Sequence, residues 1–178
     1  MNLLVEHSFT GARQRNLLRF MLNCKVFKFG EFVLKSGMKS PIYIDLRECF
    51  GYADLMDLAA DGLKHLIQET VASFDGIVGV PYAALPYATL VSFRCKKPLI
   101  IIRKEAKAHG TKKLIEGLYE KDAKVVVVED VVTTGGSIME VVNTLRAEGL
   151  VVEHVFCILD REQGGAAKLK EDGITLHR

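Results

Sequence analysis

Residues 125–138, VVVVEDVVTTGGSI, combine two kinds of group that can hold a ligand: a pair of acids and a loop of glycines and hydroxyls. The adjacent glycines allow a tight turn and a close approach of the backbone to a ligand. The first N–H groups of the helix predicted to follow can hold a phosphate, and the hydroxyls of Thr133, Thr134 and Ser137 add donors. The spacing matches neither GxxxxGK[ST] nor GxGxxG, which disfavours those two nucleotide-binding loops.

The two acids, Glu129 and Asp130, suit a different part of a ligand. Carboxylates at the end of a strand can accept hydrogen bonds from sugar hydroxyls. They can also favour a nearby Mg²⁺, either directly or through water. A phosphate, a polyol and a metal together describe a sugar phosphate. An acid followed by an ordinary turn between a strand and a helix gives the same pattern, so this stretch alone leaves both interpretations open.

A second segment, RKEAKAHG at 103–110, carries Arg103, Lys104, Lys107 and His109 within seven residues. As an active-site loop it would supply movable cations to a diphosphate leaving group. A charged loop in solvent is the other interpretation, and it is the more common one for such a run of charges.

Two further cations are weaker candidates. Arg161 follows a predicted strand in LDREQGG, where it can form a bidentate pair with a carboxylate or an ordinary surface salt bridge. Lys35 lies in the turn KSGMKSP, where it can reach an anion, although a single exposed lysine usually has no such role.

Strands that alternate with amphipathic helices are expected to position these groups. Strands are predicted at 76–80, 98–103, 124–130 and 151–160, and helices at 10–24, 53–68, 84–94 and 137–149. This alternation predicts an α/β fold with a central, mainly parallel sheet flanked by helices. Ligands of such sheets bind outside the carboxyl ends of the strands, so the segments that follow 76–80, 98–103 and 124–130 are expected to meet at one crevice.

Residues 26–47 have a different pattern, with short alternating apolar runs on either side of a turn rich in Gly, Ser and Pro. We interpret them as an antiparallel ribbon. The sequence therefore predicts a single-domain protein in two parts: an N-terminal helix and ribbon over 1–50, and an α/β core over 51–178.

Composition excludes several classes of protein. The 24 basic and 22 acidic residues give a net charge of +2, which does not indicate nucleic-acid binding. The four cysteines have no metal-ligand spacing and are expected to be reduced thiols. No apolar run approaches the ~20 residues of a membrane span, and no signal peptide is evident, so a cytoplasmic location away from membranes is expected.

Taken together, these segments resemble type I phosphoribosyltransferases. VVVEDVVTTGGS resembles their motif for 5-phosphoribosyl-1-diphosphate (PRPP). FVLKSGMKSPIYIDLR, GVPYAALP, RKEAKAHGT and LDREQGG, in that order, are similar to the orotate phosphoribosyltransferase branch, especially the domain in animal bifunctional UMP synthase. The resemblance covers residues 15–178 and implies the type I fold, with residues 1–50 as a small hood. It implies transfer of phosphoribosyl from PRPP to orotate, giving orotidine 5′-monophosphate (OMP) and pyrophosphate in UMP biosynthesis.

The resemblance also implies roles for individual residues. The catalytic cations would be Lys107, His109 and Arg103, with Lys107 as the main one. The ribose hydroxyls would bind Glu129 and Asp130, with Mg²⁺ nearby but held mainly by PRPP rather than by the protein. The remaining PRPP-binding residues would be Lys35, Tyr82, Lys104, Val131, Val132, Thr133, Thr134, Gly135, Gly136 and Ser137. Orotate would meet Tyr43, Ile44, Thr133 and Arg161.

A homodimer that shares its active sites is implied by the resemblance alone. Two alternatives remain: a purine or uracil phosphoribosyltransferase, and a non-catalytic regulator that senses PRPP. Ala83 follows Tyr82 where many bacterial members have a lysine, which puts one diphosphate contact in doubt. The sequence stops at GITLHR, earlier than the animal domain usually does, so either a short form or a piece of a longer chain is expected.

Overall fold

The computed structural model describes residues 10–33, 37, 39–103 and 114–178, and for residues 10–13 it describes the backbone alone. The chain divides into two compact units, residues 1–62 and 63–178, which are described in turn. The division into 1–50 and 51–178 made from the sequence stays a prediction.

The first unit contains the predicted N-terminal helix and antiparallel ribbon. Its elements are α1 (Thr10–Asn23), β1 (Phe27–Val33), β2 (Lys39–Ile44), a 3-10 helix (Leu46–Gly51) and the start of α2 (Ala53–Thr70). The two strands pair from Phe27 with Ile44 to Val33 with Lys39, with a register shift between Phe29 and Phe32. The alternating pattern of residues 26–47 therefore predicted the ribbon correctly.

The second unit is built on a six-stranded sheet in the described part of the chain. Its strand order is β5-β4-β3-β6-β7-β8, and β5 alone runs antiparallel to its neighbour. The prediction of a mainly parallel α/β sheet is confirmed. The elements are β3 (Gly76–Gly79), α3 (Leu85–Cys95), β4 (Leu99–Ile102), β5 (Ile115–Glu116), β6 (Lys124–Val132), α4 (Gly136–Ala147), β7 (Val151–Asp160), α5 (Gly165–Glu171) and β8 (Thr175–His177).

Burial of β-branched residues on both faces explains the centre of this sheet. Val125, Val126, Val127 and Val128 of β6 are at most 3% exposed, as expected for a parallel strand covered by helices on both sides. Helix α4 packs its apolar stripe against the sheet and is followed by Gly149 at φ +82°, which closes the helix as predicted. None of the helices in the described ranges is both long and apolar enough to cross a membrane.

The strand order determines where a ligand can bind. From β3 the chain proceeds to β4 on one side, whereas β6 lies on the other side of β3. A reversal of this kind leaves a crevice outside the carboxyl ends of the two strands on either side of it, here β3 and β6.

Candidate functional site

The carboxyl ends of β4, β3, β6 and β7 lie side by side at one end of the sheet, because these four strands are parallel neighbours. The last pair between β3 and β6 joins Gly79 to Val128, whereas β6 remains paired with β7 as far as Val132. Glu129 and the three residues after it therefore extend beyond the end of β3. The structure thus brings together the strand ends that the sequence predicted to share a crevice.

The acid pair lies in this extension. Glu129 is 7% exposed, and its Oε1 accepts a hydrogen bond from the backbone N–H of Asp130 at 3.0 Å. Burial raises the pKa of Glu129 well above its usual range, and the hydrogen bond and negative charge of the adjacent Asp130 carboxyl raise it further. A buried carboxyl beside a second one suits a ligand that brings hydroxyl donors or a cation.

The glycine loop connects β6 to α4. Gly135 has φ +76°, a left-handed conformation that favours glycine, and α4 begins at Gly136. The N–H of Met139 donates to the carbonyl of Gly135 at 3.0 Å, which leaves the N–H groups before it without partners inside the helix. Thr134 and Ser137 are exposed and Thr133 is half-buried. The loop therefore offers both backbone and hydroxyl donors to an anion.

Val131 and Val132 complete β6 before this loop. Val131 is half-buried, and Val132 is 1% exposed with its side chain in the core. The carbonyl of Val132 accepts a hydrogen bond from the N–H of Arg161 at 2.9 Å. Arg161, half-buried at the end of β7, is thereby attached to the start of the glycine loop.

Gly165, which the sequence interpretation passed over, fixes these two loops against each other. Its N–H donates to the carbonyl of Thr133 at 3.0 Å. A Cβ added to Gly165 would lie 2.6 Å from Cγ1 of Val132 and 2.7 Å from that carbonyl oxygen, so only glycine fits there. The GG pair that ends LDREQGG was the available signal for a close approach of backbone.

Tyr82 and Ala83 follow the end of β3. Tyr82 is 61% exposed, and its carbonyl accepts a hydrogen bond from the N–H of Leu85 at the start of α3. The peptide bond between Pro81 and Tyr82 is cis. Tyr82 therefore lies in the short connection between the carboxyl end of β3 and α3.

Arg103 follows β4 and forms an ion pair with Glu116 of β5, with Nη2 and Oε1 2.5 Å apart. The other four cations predicted for the site, Lys35, Lys104, Lys107 and His109, lie outside the described residues. Of the predicted cations, the structure therefore describes Arg103 and Arg161.

Tyr43 and Ile44 lie in β2 of the first unit. The Tyr43 hydroxyl accepts a hydrogen bond from Nη2 of Arg47 at 3.2 Å, and its ring lies 5.5 Å from that of Phe32. Arg47 also binds Asp45, whose pKa its hydrogen bond lowers. The predicted contact of Tyr43 and Ile44 with orotate stays a prediction.

Comparison with known proteins adds independent findings. The sequence profile of the phosphoribosyl transferase domain matches residues 52–176. The chain is 56% identical over 178 residues to a uridine 5′-monophosphate synthase of Caenorhabditis elegans, which covers 99% of this chain and 36% of that protein. It is also 48% identical to an orotate phosphoribosyltransferase of Caenorhabditis elegans, over 88% of this chain and 68% of that protein. The chain thus spans about a third of the first of these relatives.

A solved structure is similar in fold over most of its length. The orotate phosphoribosyltransferase of Aeropyrum pernix superposes with a TM-score of 0.79 and 32% identity, covering 90% of each chain. Both the sequence and the fold are therefore similar to enzymes of one kind.

Proposed function

Since the chain belongs to the phosphoribosyl transferase domain family, on its orotate phosphoribosyltransferase branch, we propose that it converts orotate and PRPP into OMP and pyrophosphate. The observation that carries this proposal is the extension of β6 past β3. At the carboxyl ends of the strands, it places an acid pair and a glycine loop at the start of a helix next to Arg161, which follows β7. Such an arrangement suits a phosphorylated ribose next to an anionic base.

The β6–α4 connection is proposed to hold the ribose 5-phosphate part of PRPP. The N–H groups at the start of α4 and the hydroxyls of Thr133, Thr134 and Ser137 would bind the 5′-phosphate. Glu129 and Asp130 would accept hydrogen bonds from the 2′ and 3′ hydroxyls. Binding would supply Glu129 with the hydrogen-bond donors that a buried carboxylate needs.

The diphosphate part is proposed to meet the cations that follow β4 and β3. Arg103 directly follows the carboxyl end of β4. It would be joined there by four cations from outside the described residues: Lys35, Lys104, Lys107 and His109. These cations would bind the leaving pyrophosphate as the bond from C1′ to oxygen breaks, and so stabilise the negative charge that develops there. Lys107 is proposed as the main catalytic cation.

Mg²⁺ fits this proposal as a partner of PRPP. Carboxylate oxygens are ligands that Mg²⁺ accepts, and Glu129 and Asp130 offer them. The described residues hold no group of three or more His, Cys, Asp or Glu side chains placed to bind a metal ion. When bound, Mg²⁺ would neutralise charge on the diphosphate leaving group. We therefore propose that these two carboxyls are its nearest protein donors, through water where they do not bind it directly.

Arg161 is proposed to bind the carboxylate of orotate. A guanidinium pairs with a carboxylate through two parallel hydrogen bonds, which favours orotate over uncharged bases. As N1 of orotate bonds to C1′, the bond from C1′ to the pyrophosphate oxygen breaks, and the N1 proton passes to water or to the departing pyrophosphate. Tyr43 and Ile44 are proposed to meet the edge of the pyrimidine.

We also propose a homodimer with shared sites in the cytoplasm. The dimer rests on similarity to the family. The location is supported by the four cysteines, all of which are free thiols, as expected in a reducing compartment.

Turnover with competing bases tests the function. The protein is incubated with PRPP, Mg²⁺ and either orotate, uracil, hypoxanthine or adenine, and nucleotide and pyrophosphate are quantified. We expect OMP with orotate and no nucleotide with the other bases. Nucleotide from uracil or a purine would identify the other transferases of the family, and PRPP binding without turnover would identify a regulator.

A further inference from the structure

In the ion pair between Arg103 and Glu116, one carboxylate oxygen contacts two nitrogens of the guanidinium. The Nε–H of Arg103 donates to Oε1 of Glu116 at 2.7 Å, and Nη2 lies 2.5 Å from the same oxygen. Within the described ranges, the structure records no other hydrogen bond or ion pair to this guanidinium. Glu116 therefore occupies the edge formed by Nε and Nη2, and among the described residues no partner is recorded for Nη1.

Strand register brings these two side chains together. Glu116 pairs with Ile101 across β4 and β5, and the N–H of Arg103 donates to the carbonyl of Leu114 at 2.8 Å. Arg103 and Glu116 are therefore diagonal neighbours across an antiparallel pair, within reach of one another because both side chains are long. The contact follows from how β5 is paired with β4.

The position of Glu116 is itself fixed on both sides. The preceding residue, Ile115, is 2% exposed and belongs to the core. The following residue, Gly117, has φ +120°, and an added Cβ would lie 2.7 Å from the carbonyl oxygen of Leu99. A two-residue strand held in this way presents the Glu116 carboxylate at a defined place, although the side chain is 42% exposed.

Stability alone gives a weak reason for this arrangement. An ion pair between side chains that are a third or more exposed contributes little to folding, because water screens it. Orientation of the Arg103 guanidinium gives a stronger reason for the arrangement. A guanidinium has five N–H donors, and one that is already fixed along its Nε edge can offer the two N–H groups of Nη1 to an anion without first losing side-chain freedom.

We propose that Glu116 is a positioning residue, which holds the guanidinium of Arg103 so that its Nη1 group faces the diphosphate of PRPP. This inference rests on the proposed function and on the role proposed there for Arg103. It assigns to β5 a part in recognition of the substrate, although Glu116 itself need not touch PRPP.

Steady-state kinetics of Glu116→Ala and Glu116→Gln test the inference. We expect the KM for PRPP to rise about tenfold in Glu116→Ala, by analogy with the loss of a partner that orients a metal ligand. Glu116→Gln, which keeps an acceptor oxygen, should show a smaller rise. The KM for orotate and the melting temperature should not change. Glu120→Ala, which removes an exposed acid four residues away, is the matched control and should leave all of these values unchanged.

A double-mutant cycle separates positioning from other effects. If Glu116 acts through Arg103, then Glu116→Ala should have no further effect on the KM for PRPP once Arg103→Ala is present. Independent losses that add would overturn the inference. A lower KM for PRPP in either Glu116 variant would overturn it as well, because Glu116 would then compete with PRPP rather than orient Arg103.

Calorimetric titration with PRPP keeps this test separate from the proposed function. A wild-type protein that binds PRPP and forms no OMP would overturn the function, and the dissociation constants of the Glu116 variants would still decide the role of Glu116. An active wild-type protein with unchanged PRPP affinity in both Glu116 variants would overturn this inference alone.

Discussion

The connection between β6 and α4 and the pairing of β4 with β5, which we propose to serve the same site, are held in opposite ways. The first is built into the core: Glu129 is 7% exposed and Val132 is 1% exposed. The second lies at the edge of the sheet, where a two-residue strand and a partly exposed ion pair hold Arg103. The difference indicates that the region proposed to bind the ribose phosphate is fixed in advance by packing. Arg103, the one proposed diphosphate cation among the described residues, is held by a partly exposed ion pair instead.

The largest effect should come from the cations that follow β4. We expect Lys107→Ala to reduce kcat by on the order of 10²–10³, by analogy with loss of one oriented donor to a developing anion. The melting temperature should not change, because the role proposed for Lys107 is in catalysis and not in folding. Lys170→Ala, an exposed lysine of α5, is the control. Equal losses of activity and stability in Lys107→Ala would show a structural lysine instead.

A smaller effect is expected from loss of Arg161, which is proposed to bind orotate rather than the diphosphate. Arg161→Ala should raise the KM for orotate about tenfold or more, since a hydrogen bond to a charged group is worth about 1.5–3 kcal/mol. The KM for PRPP should change little. Arg161→Lys should recover part of the loss, because it restores the charge and not the paired geometry. An unchanged KM for orotate in Arg161→Ala would remove the proposed role.

Gly165→Ala tests whether packing holds the first region. Its Cβ would meet Val132 and the carbonyl of Thr133 at under 3 Å, so we expect a loss of about 1–3 kcal/mol in the free energy of unfolding. The affinity for ribose 5-phosphate should fall as well, because the glycine loop must shift. Gly62→Ala is the control, since nothing lies within 4 Å of its added Cβ. Chemical denaturation measures the free energy of unfolding of the two variants. Equal stability of Gly165→Ala and Gly62→Ala would contradict the account.

The smallest effect concerns stability and pH. Because the folded protein raises the pKa of Glu129 above its unfolded value, the neutral form is the one that folding favours. The stability that protonated Glu129 contributes is fully present below the pKa of this residue in the unfolded chain. It is lost as pH rises toward its higher pKa in the folded protein. Glu129→Gln should therefore raise the melting temperature of the unliganded protein more at pH 8 than at pH 5, while weakening PRPP binding. A variant that is less stable than wild type at pH 8 would show that the carboxyl is needed for the fold.

The sequence predicted the main strands and helices because their periodicity is strong. The valines of β6 and the stripe from Ile138 to Leu145 in α4 indicated those elements directly. Four short elements were missed, the first of them the 3-10 helix Leu46–Gly51. Strand β5 has two residues, β8 has three, and α5 begins between two glycines that are typical of a loop.

The candidate site, too, was predicted from the sequence only in part. Residue type and order indicated Glu129, Asp130 and the glycine loop, since these are adjacent in the chain. Contacts between segments that are distant in the chain were not accessible from the sequence. Neither the pairing of Glu116 with Arg103 nor the packing of Gly165 on Val132 follows from local sequence.

The central claim is that one region binds the ribose phosphate and the other binds the diphosphate. The most direct test is calorimetric titration of ribose 5-phosphate and of PRPP into the wild-type protein and Arg103→Ala, with Mg²⁺ present. We expect Arg103→Ala to bind ribose 5-phosphate as the wild type does and to bind PRPP about tenfold more weakly, as for loss of one hydrogen-bonded charge. An equal loss of affinity for both ligands, or no loss for PRPP, would contradict the account.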